Sequence, residues 1–184
     1  KLLKQKANDI LAQASDFVNK EKEVETVEDA LDGARDIIAE IMSEEANVRE
    51  SLRQLFKTSA IIKSKLIKGK EEAAEKFEDY FEWEEKLSSC PSHRMLAMRR
   101  GEKEDFLIID ISVDEDSAHG ILIKHFIKSR GECAQQIKLA IEEGYKRLLQ
   151  PSIEAEIRLF TKGLADEKAI QVFADNLREL LLAP

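Results

Sequence analysis

Leu3, Ala7, Ile10 and Ala14 recur at helical spacing, so the start of the chain predicts an amphipathic helix. The period breaks between Ser15 and Glu25. Thr26 with Asp29 three positions on has the form of a capping box, in which hydroxyl and carboxylate satisfy orphan backbone donors, and a helix is predicted to begin there. Its apolar face would hold Val27, Ala30, Leu31, Ala34, Ile37, Ile38, Ile41 and Met42, opposite Glu28, Asp32, Arg35, Asp36 and Glu40. Ser43 ahead of Glu44 and Glu45 predicts a restart, because a hydroxyl cap and an acidic turn suit the positive end of a helix. Val48, Leu52, Leu55 and Phe56 would then face inward.

From Ala60 to Ile67 the pattern alternates, with Ala60, Ile62, Ser64 and Leu66 on one side and Lys63 and Lys65 on the other, which predicts a short strand. Gly69 ends it, and Glu71 to Trp83 returns to helical spacing through Ala73, Ala74, Phe77, Tyr80 and Phe81. Ser92 is placed to cap a short helix that Gly101 would terminate in the left-handed conformation. FLIIDISV, residues 106–113, alternates through Leu107, Ile109, Ile111 and Val113 and predicts a second strand that pairs with the first as a two-stranded ribbon. Further helices are predicted over Ser117–Lys128 and over Glu132–Leu149 through Ile137, Ile141, Tyr145 and Leu148. Pro151 must stop or kink the chain, and a new helix can begin there. Ile153, Ile157 and Phe160 continue the buried stripe, and a last helix from about Ala165 to Leu182 presents Ala169, Ile170, Phe173, Leu177, Leu180 and Leu181, with LAP as a domain edge. The predicted fold is mainly α, a multi-helix domain with a small two-stranded β ribbon.

Composition agrees with that reading. At 184 residues, 43% apolar and 36% charged, the chain can bury a sizeable core as one domain or two small lobes. Seven glycines and three prolines leave little punctuation between helices. Cys90 and Cys133 are isolated and lack any CxxC spacing, which points to reduced thiols. No window approaches eighteen consecutive apolar residues and no secretory pattern opens the chain, so a cytoplasmic protein without membrane partners is expected. With no initiator Met and a helical period already running at the start, a segment of a longer protein is expected.

The net charge of −8 repels nucleic acid as a whole-molecule field, so phosphate binding requires a local cationic patch. Two are present. Residues 57–70 hold Lys57, Lys63, Lys65, Lys68 and Lys70 with no acid, and Arg94, Arg99, Arg100 and Lys103 form a second cluster. Lys63, Lys65, Lys68, Arg94, Arg99 and Arg100 are the candidate backbone-contacting residues, arginine being suited to bidentate phosphate contact. Against this, residues 71–85 carry eight acids and one lysine, and the two segments can neutralise each other. Phe77, Tyr80, Phe81 and Trp83 can in principle stack on bases, but their helical spacing favours core packing.

Catalytic and metal chemistry finds little support. Cys90 and His93 make a CxxH spacing without the second ligand pair that zinc needs. His119 and His125 are six apart, about 240° around a helix, and do not share a face. IKGKEE lacks the second glycine and the Ser or Thr of a phosphate loop. No metal, cofactor or catalytic residue is assigned, and the chain is not expected to be an enzyme.

Taken in order, KGKEEAAEKF, FEDYFEWEEKLSSCPSHRMLAMRRGEKE, YKRLLQPSIEAEIR and DEKAIQVFADNLRELLLAP resemble the bacterial Tex family of transcription accessory proteins. The similarity runs from the DALDGARDIIAE helix to the final LLLAP, and its specificity lies in the ordered set KGKE, F-x-D-Y-F, PSHR, RGEKE and VFA-x-NLR-x-LLLAP. The resemblance implies a long RNA-binding parent with a helical N-terminal region, a YqgF-type RNase H-like domain, helix-hairpin-helix units and a C-terminal OB fold. It places this chain, residues 1–184, in the N-terminal helical region, ending before the YqgF-type domain. Several family members have isoleucine-proline or alanine-proline where this chain has Cys90-Pro91, which weakens a catalytic role for Cys90. The expected role is an architectural module of a nucleic-acid-binding transcription protein, with auxiliary phosphate-backbone contacts. The alternative is an interaction scaffold without intrinsic nucleic-acid affinity, docking other domains or the transcription machinery.

Overall fold

The computed structural model describes residues 2–5 and 9–182; Ala7 of the predicted opening stripe and the terminal Ala183-Pro184 lie outside the described residues. The chain divides into two compact units, one formed by Lys1–Gln54 with Asp114–Ile153, the other by Leu55–Val113 with Glu154–Pro184.

In the unit formed by Lys1–Gln54 with Asp114–Ile153, a short 3-10 turn at Leu2–Lys4 precedes α1 (Ile10–Ser15), whose cap Asp9 accepts from the Ala12 N–H. The capping box forms as predicted, with Thr26 Oγ1 accepting from Asp29 N–H and the Asp29 carboxylate accepting from Thr26 N–H, and α2 runs over Val27–Glu44. Leu31, Ile38, Ala39 and Met42 are buried, whereas Ile37 and Ile41, predicted inward, are exposed and line an apolar groove with Phe17 and Val18 of the α1–α2 segment. The predicted face was too wide for what α2 packs against. Ser43 is not a cap: its hydroxyl donates back to the Glu40 carbonyl inside α2, and the break falls at Glu45, which has extended backbone before α3 (Ala46–Ser59).

Helix α5 (Glu115–Phe126) starts earlier than predicted because Asp114 caps it, accepting from the Ser117 N–H and hydroxyl. Helix α6 (Glu132–Gly144) packs along α2. Gly144 permits the approach, since a Cβ there would lie 2.7 Å from the Ala39 Cβ. Pro151 has no N–H for a helical bond, and the chain accommodates it by widening into a π turn over Tyr145–Leu149, where Gln150 N–H reaches the Tyr145 carbonyl. A new helix, α7, then runs from Gln150 to Leu182 without the second start predicted near Ala165.

The other unit is built on a sheet. Strand β1 (Ile61–Leu66) pairs antiparallel with β3 (Leu107–Ser112), as predicted, burying Ile62, Ser64, Leu107, Ile109 and Ile111. The predicted two-stranded ribbon gains a third strand, β2 (Glu82–Lys86), giving the order β2-β1-β3. The helix expected over Glu71–Trp83 shrinks to a 3-10 turn at Glu75–Tyr80, because Trp83 enters β2 opposite Ser64. An unpaired second edge on β1 would leave backbone groups unsatisfied, and EWEEK supplies the partner despite its charge.

Helix α4 (Ser92–Lys103) packs on β3. Two readings of it change. Its cap position is Pro91, which offers no side-chain acceptor, and Gly101 is helical and buried rather than a left-handed terminator. A Cβ at Gly101 would stand 2.5 Å from Leu107, so the glycine permits close packing, and the left-handed residue is Asp105, with φ of 58°. Within α7, Ile157 and Ala165 are buried, while Phe160 is half exposed and all residues from 167 on are exposed.

Candidate nucleic-acid interface

All six candidate residues fall in the sheet-containing unit. On the outer face of the sheet the alternation of β1 places Lys63 between Glu84 and Asp110, and Lys65 between Glu82 and Ile108. Lys63 Nζ lies 3.0 Å from the Glu84 carboxylate. The basic segment is thus laid beside the acidic one by strand pairing. Lys65 and Lys68 are exposed and, among the described residues, have no carboxylate within ion-pair distance.

Arg94 is held more tightly. Its guanidinium donates to Glu85 at 2.6 Å and lies 4.6 Å from the Trp83 ring centre, and the Trp83 indole N–H donates to the same carboxylate. Partial burial works against the Glu85 charge, yet the hydrogen bonds from Arg94, Cys90 and Trp83 outweigh it and hold the carboxyl below its ordinary range. The Cys90 thiol faces this carboxylate and the Pro91 carbonyl. Burial and the neighbouring anion push it up to about 12, so it stays a neutral thiol.

Arg99 is tied to Glu102 at 2.5 Å, and Glu102 in turn accepts from Arg158 of α7 at 2.8 Å. Arg158 also donates to Glu154 and to the Ile109 carbonyl, while Glu154 accepts from the Ile111 N–H. Arg99 therefore belongs to a network joining α4, β3 and α7. Arg100 pairs with Glu104 at 2.8 Å but keeps 70% of its side chain exposed. Among the described residues no group of three His, Cys, Asp or Glu side chains is arranged to hold a metal ion.

Sequence reasoning passed over a cleft of about 430 Å³ between the start of α4, the Leu87–Ser89 turn, the end of α3 and the middle of α7. Leu87, Met95, Ile157 and Ala165 form its buried floor. Lys57, Lys168, Ser88 and Ser92 stand at its edge with Phe160, and no acid lines it. Lys57 was visible in its acid-free run, but Lys168 sits in ADEKA, where nothing in the sequence separates it from its acidic neighbours. Beyond the cleft, Ile170, Phe173, Leu177, Leu180 and Leu181 of α7 are exposed, an apolar stripe of the kind that marks an interaction surface.

The fold is that of a mainly helical module with a small three-stranded antiparallel sheet, and comparison with known proteins places it. The chain belongs to the family described as Tex central region-like, whose model matches residues 5–173. It is 42% identical over 177 residues to the uncharacterized protein YdcI of Bacillus subtilis, covering 95% of this chain and 25% of that protein. It is 35% identical over 190 residues to the transcriptional accessory protein Tex of Neisseria gonorrhoeae, covering 99% of this chain and 25% of that protein. A more distant relative is the human S1 RNA-binding domain-containing protein 1, 23% identical over 175 residues, 88% of this chain and 18% of that protein. The chain thus spans about a quarter of the length of the bacterial relatives it matches. None of the described helices is long and apolar enough to cross a membrane.

Proposed function

We propose that this chain is a helical architectural module of a Tex-type transcription accessory protein, and that it lends that protein an auxiliary, sequence-independent surface for the phosphate backbone of nucleic acid. The observation that carries the reading is the contrast in charge pairing: Lys63, Arg94 and Arg99 are tied to carboxylates, whereas Lys65 and Lys68 are exposed without ion pairs among the described residues and Arg100 is largely exposed beside Glu104. An exposed pair such as Arg100–Glu104 is worth about 0–1 kcal/mol, so a phosphate can replace Glu104 as the arginine's partner at small cost. The names of the relatives, a transcriptional accessory protein and an S1 RNA-binding domain-containing protein, support this context.

The architectural half rests on α7. Its exposed stripe suits docking onto other parts of a longer chain, and interfaces between domains typically bury roughly 600–1,500 Å². The test is charge reversal at Lys65, Lys68 and Arg100 together. Binding of single-stranded and duplex oligonucleotides should weaken at least tenfold for both and equally for unrelated sequences. Unchanged binding, or none in the parent chain, would leave the interaction-scaffold reading, which the ion pairs of Lys63, Arg94 and Arg99 favour.

A further inference from the structure

We infer that the cleft between the start of α4 and the middle of α7 is a single-nucleotide site, taking one base of a single strand against Phe160 and its flanking phosphates on Lys57 and Lys168. The inference rests on the nucleic-acid half of the reading above and assigns it to residues that reading does not use.

Three features converge. In a chain with 37 acids and a net charge of −8, a cleft whose lining holds two lysines and no acid is a local reversal of sign. Neither lysine has a carboxylate within ion-pair distance among the described residues; Lys57 instead rests 4.9 Å from the centre of the Phe160 ring. An ammonium parked on an aromatic face is held weakly and is released to an anion without breaking an ion pair. The second feature is Phe160, 47% exposed beside the exposed Leu164, which gives a flat apolar surface at the cleft edge. The third is the apolar floor of Leu87, Met95, Ile157 and Ala165 with hydroxyls of Ser88 and Ser92 around it, a lining that suits a base ring with polar edges.

The volume of about 430 Å³ and the shape limit the occupant. A phosphate alone would leave the apolar floor empty, and a duplex keeps its bases stacked away from such a surface. An unstacked base with a phosphate on each side satisfies both the ring and the two cations, the combination that single-strand binders use. Because α4 begins at Ser92 without a side-chain cap, its amide end adds a favourable field to an anion at the Ser92 edge, though the lysines and the ring define the site.

The experiment is fluorescence anisotropy of the whole chain with a short labelled single strand, its abasic counterpart, and an acidic Leu-containing peptide. The expected result is weaker binding of the abasic strand, a loss of about 5- to 50-fold for Phe160→Ala at unchanged salt slope, and a salt slope lowered by about 1.4 for Lys57→Gln with Lys168→Gln. Both lysines are exposed, so the double variant keeps its fold, and its melting temperature verifies this. Equal binding of normal and abasic strands, with loss only on reversal at Lys65, Lys68 and Arg100, would overturn the nucleotide site while leaving the phosphate surface standing. Tighter binding of the peptide, abolished by the same lysine variants, would overturn it in favour of a protein ligand.

Discussion

Glu85 shows how one residue links the two charge clusters to stability. Its carboxylate, held below the ordinary range against the effect of burial, accepts from Arg94, Cys90 and Trp83. A carboxyl with a depressed folded value stabilises the protein above the unfolded value and loses that contribution as pH falls through the folded one. Asp29 and Asp114, lowered by their cap bonds to Thr26 and Ser117, act in the same direction. The melting temperature should therefore fall as pH drops from about 5 to about 3, and Glu85→Gln should be less stable at pH 7 while showing a shallower fall. Parallel curves for variant and parent would remove Glu85 from the account. Cys90 gives a second check at this scale. Since burial and Glu85 hold its thiol protonated up to about 12, iodoacetamide at pH 8 should modify it at least tenfold more slowly in the folded than in the denatured chain. Equal rates would mean that the thiol is neither buried nor paired. The lysines and arginines were legible as clusters, but the partner of Lys63 was not, because strand register decides which acid it faces, whereas Glu102 and Glu104 stand three and four positions after Arg99 and Arg100.

Among the elements, those with a strong period and a cap could be read directly, and those formed by tertiary demand could not. The capping box at Thr26 and the alternation of residues 106–113 are local signals, and both elements form where predicted. Strand β2 carries no such signal, since EWEEK has one apolar residue in five and becomes a strand only because β1 has an edge to fill. Glycines mislead for the same reason. Gly101 was expected to terminate its helix but serves close packing against Leu107, and Gly144, inside a predicted helix, does the same against Ala39. Adding a methyl at Gly144 presses on the Ala39 backbone as well as its side chain, so Gly144→Ala should cost about 1–3 kcal/mol. Gly33 sits in the middle of α2 with open space around it, and Gly33→Ala should stabilise by about 0.5–1 kcal/mol. Chemical denaturation of the pair should give opposite signs; a stabilising Gly144→Ala would contradict the α2–α6 packing. Arg158→Met should cost about 2 kcal/mol, because it strips charge-assisted bonds from Glu102, Glu154 and the Ile109 carbonyl together.

For the molecule as a whole, the net charge of −8 and the local cationic positions pull in opposite directions. A nucleic-acid surface on such a chain works only by proximity, over distances shorter than the roughly 8–10 Å at which salt screens the acidic remainder. The apolar stripe of α7 belongs to the same scale, because an exposed run of that length asks for a covering partner. Its periodicity was plain in the sequence, but what it faces was not, since a helix pattern gives the direction of the apolar side and not its occupant. The central claim, that this module contributes phosphate contacts of its own, is tested most directly by the dependence of the observed binding constant of the isolated chain on salt, with single-stranded and duplex oligonucleotides. The account predicts a linear fall of log K with log salt, with a slope of about −1 to −3 that decreases when Lys65, Lys68 and Arg100 are reversed. A slope of zero, or a slope untouched by those reversals, would contradict it.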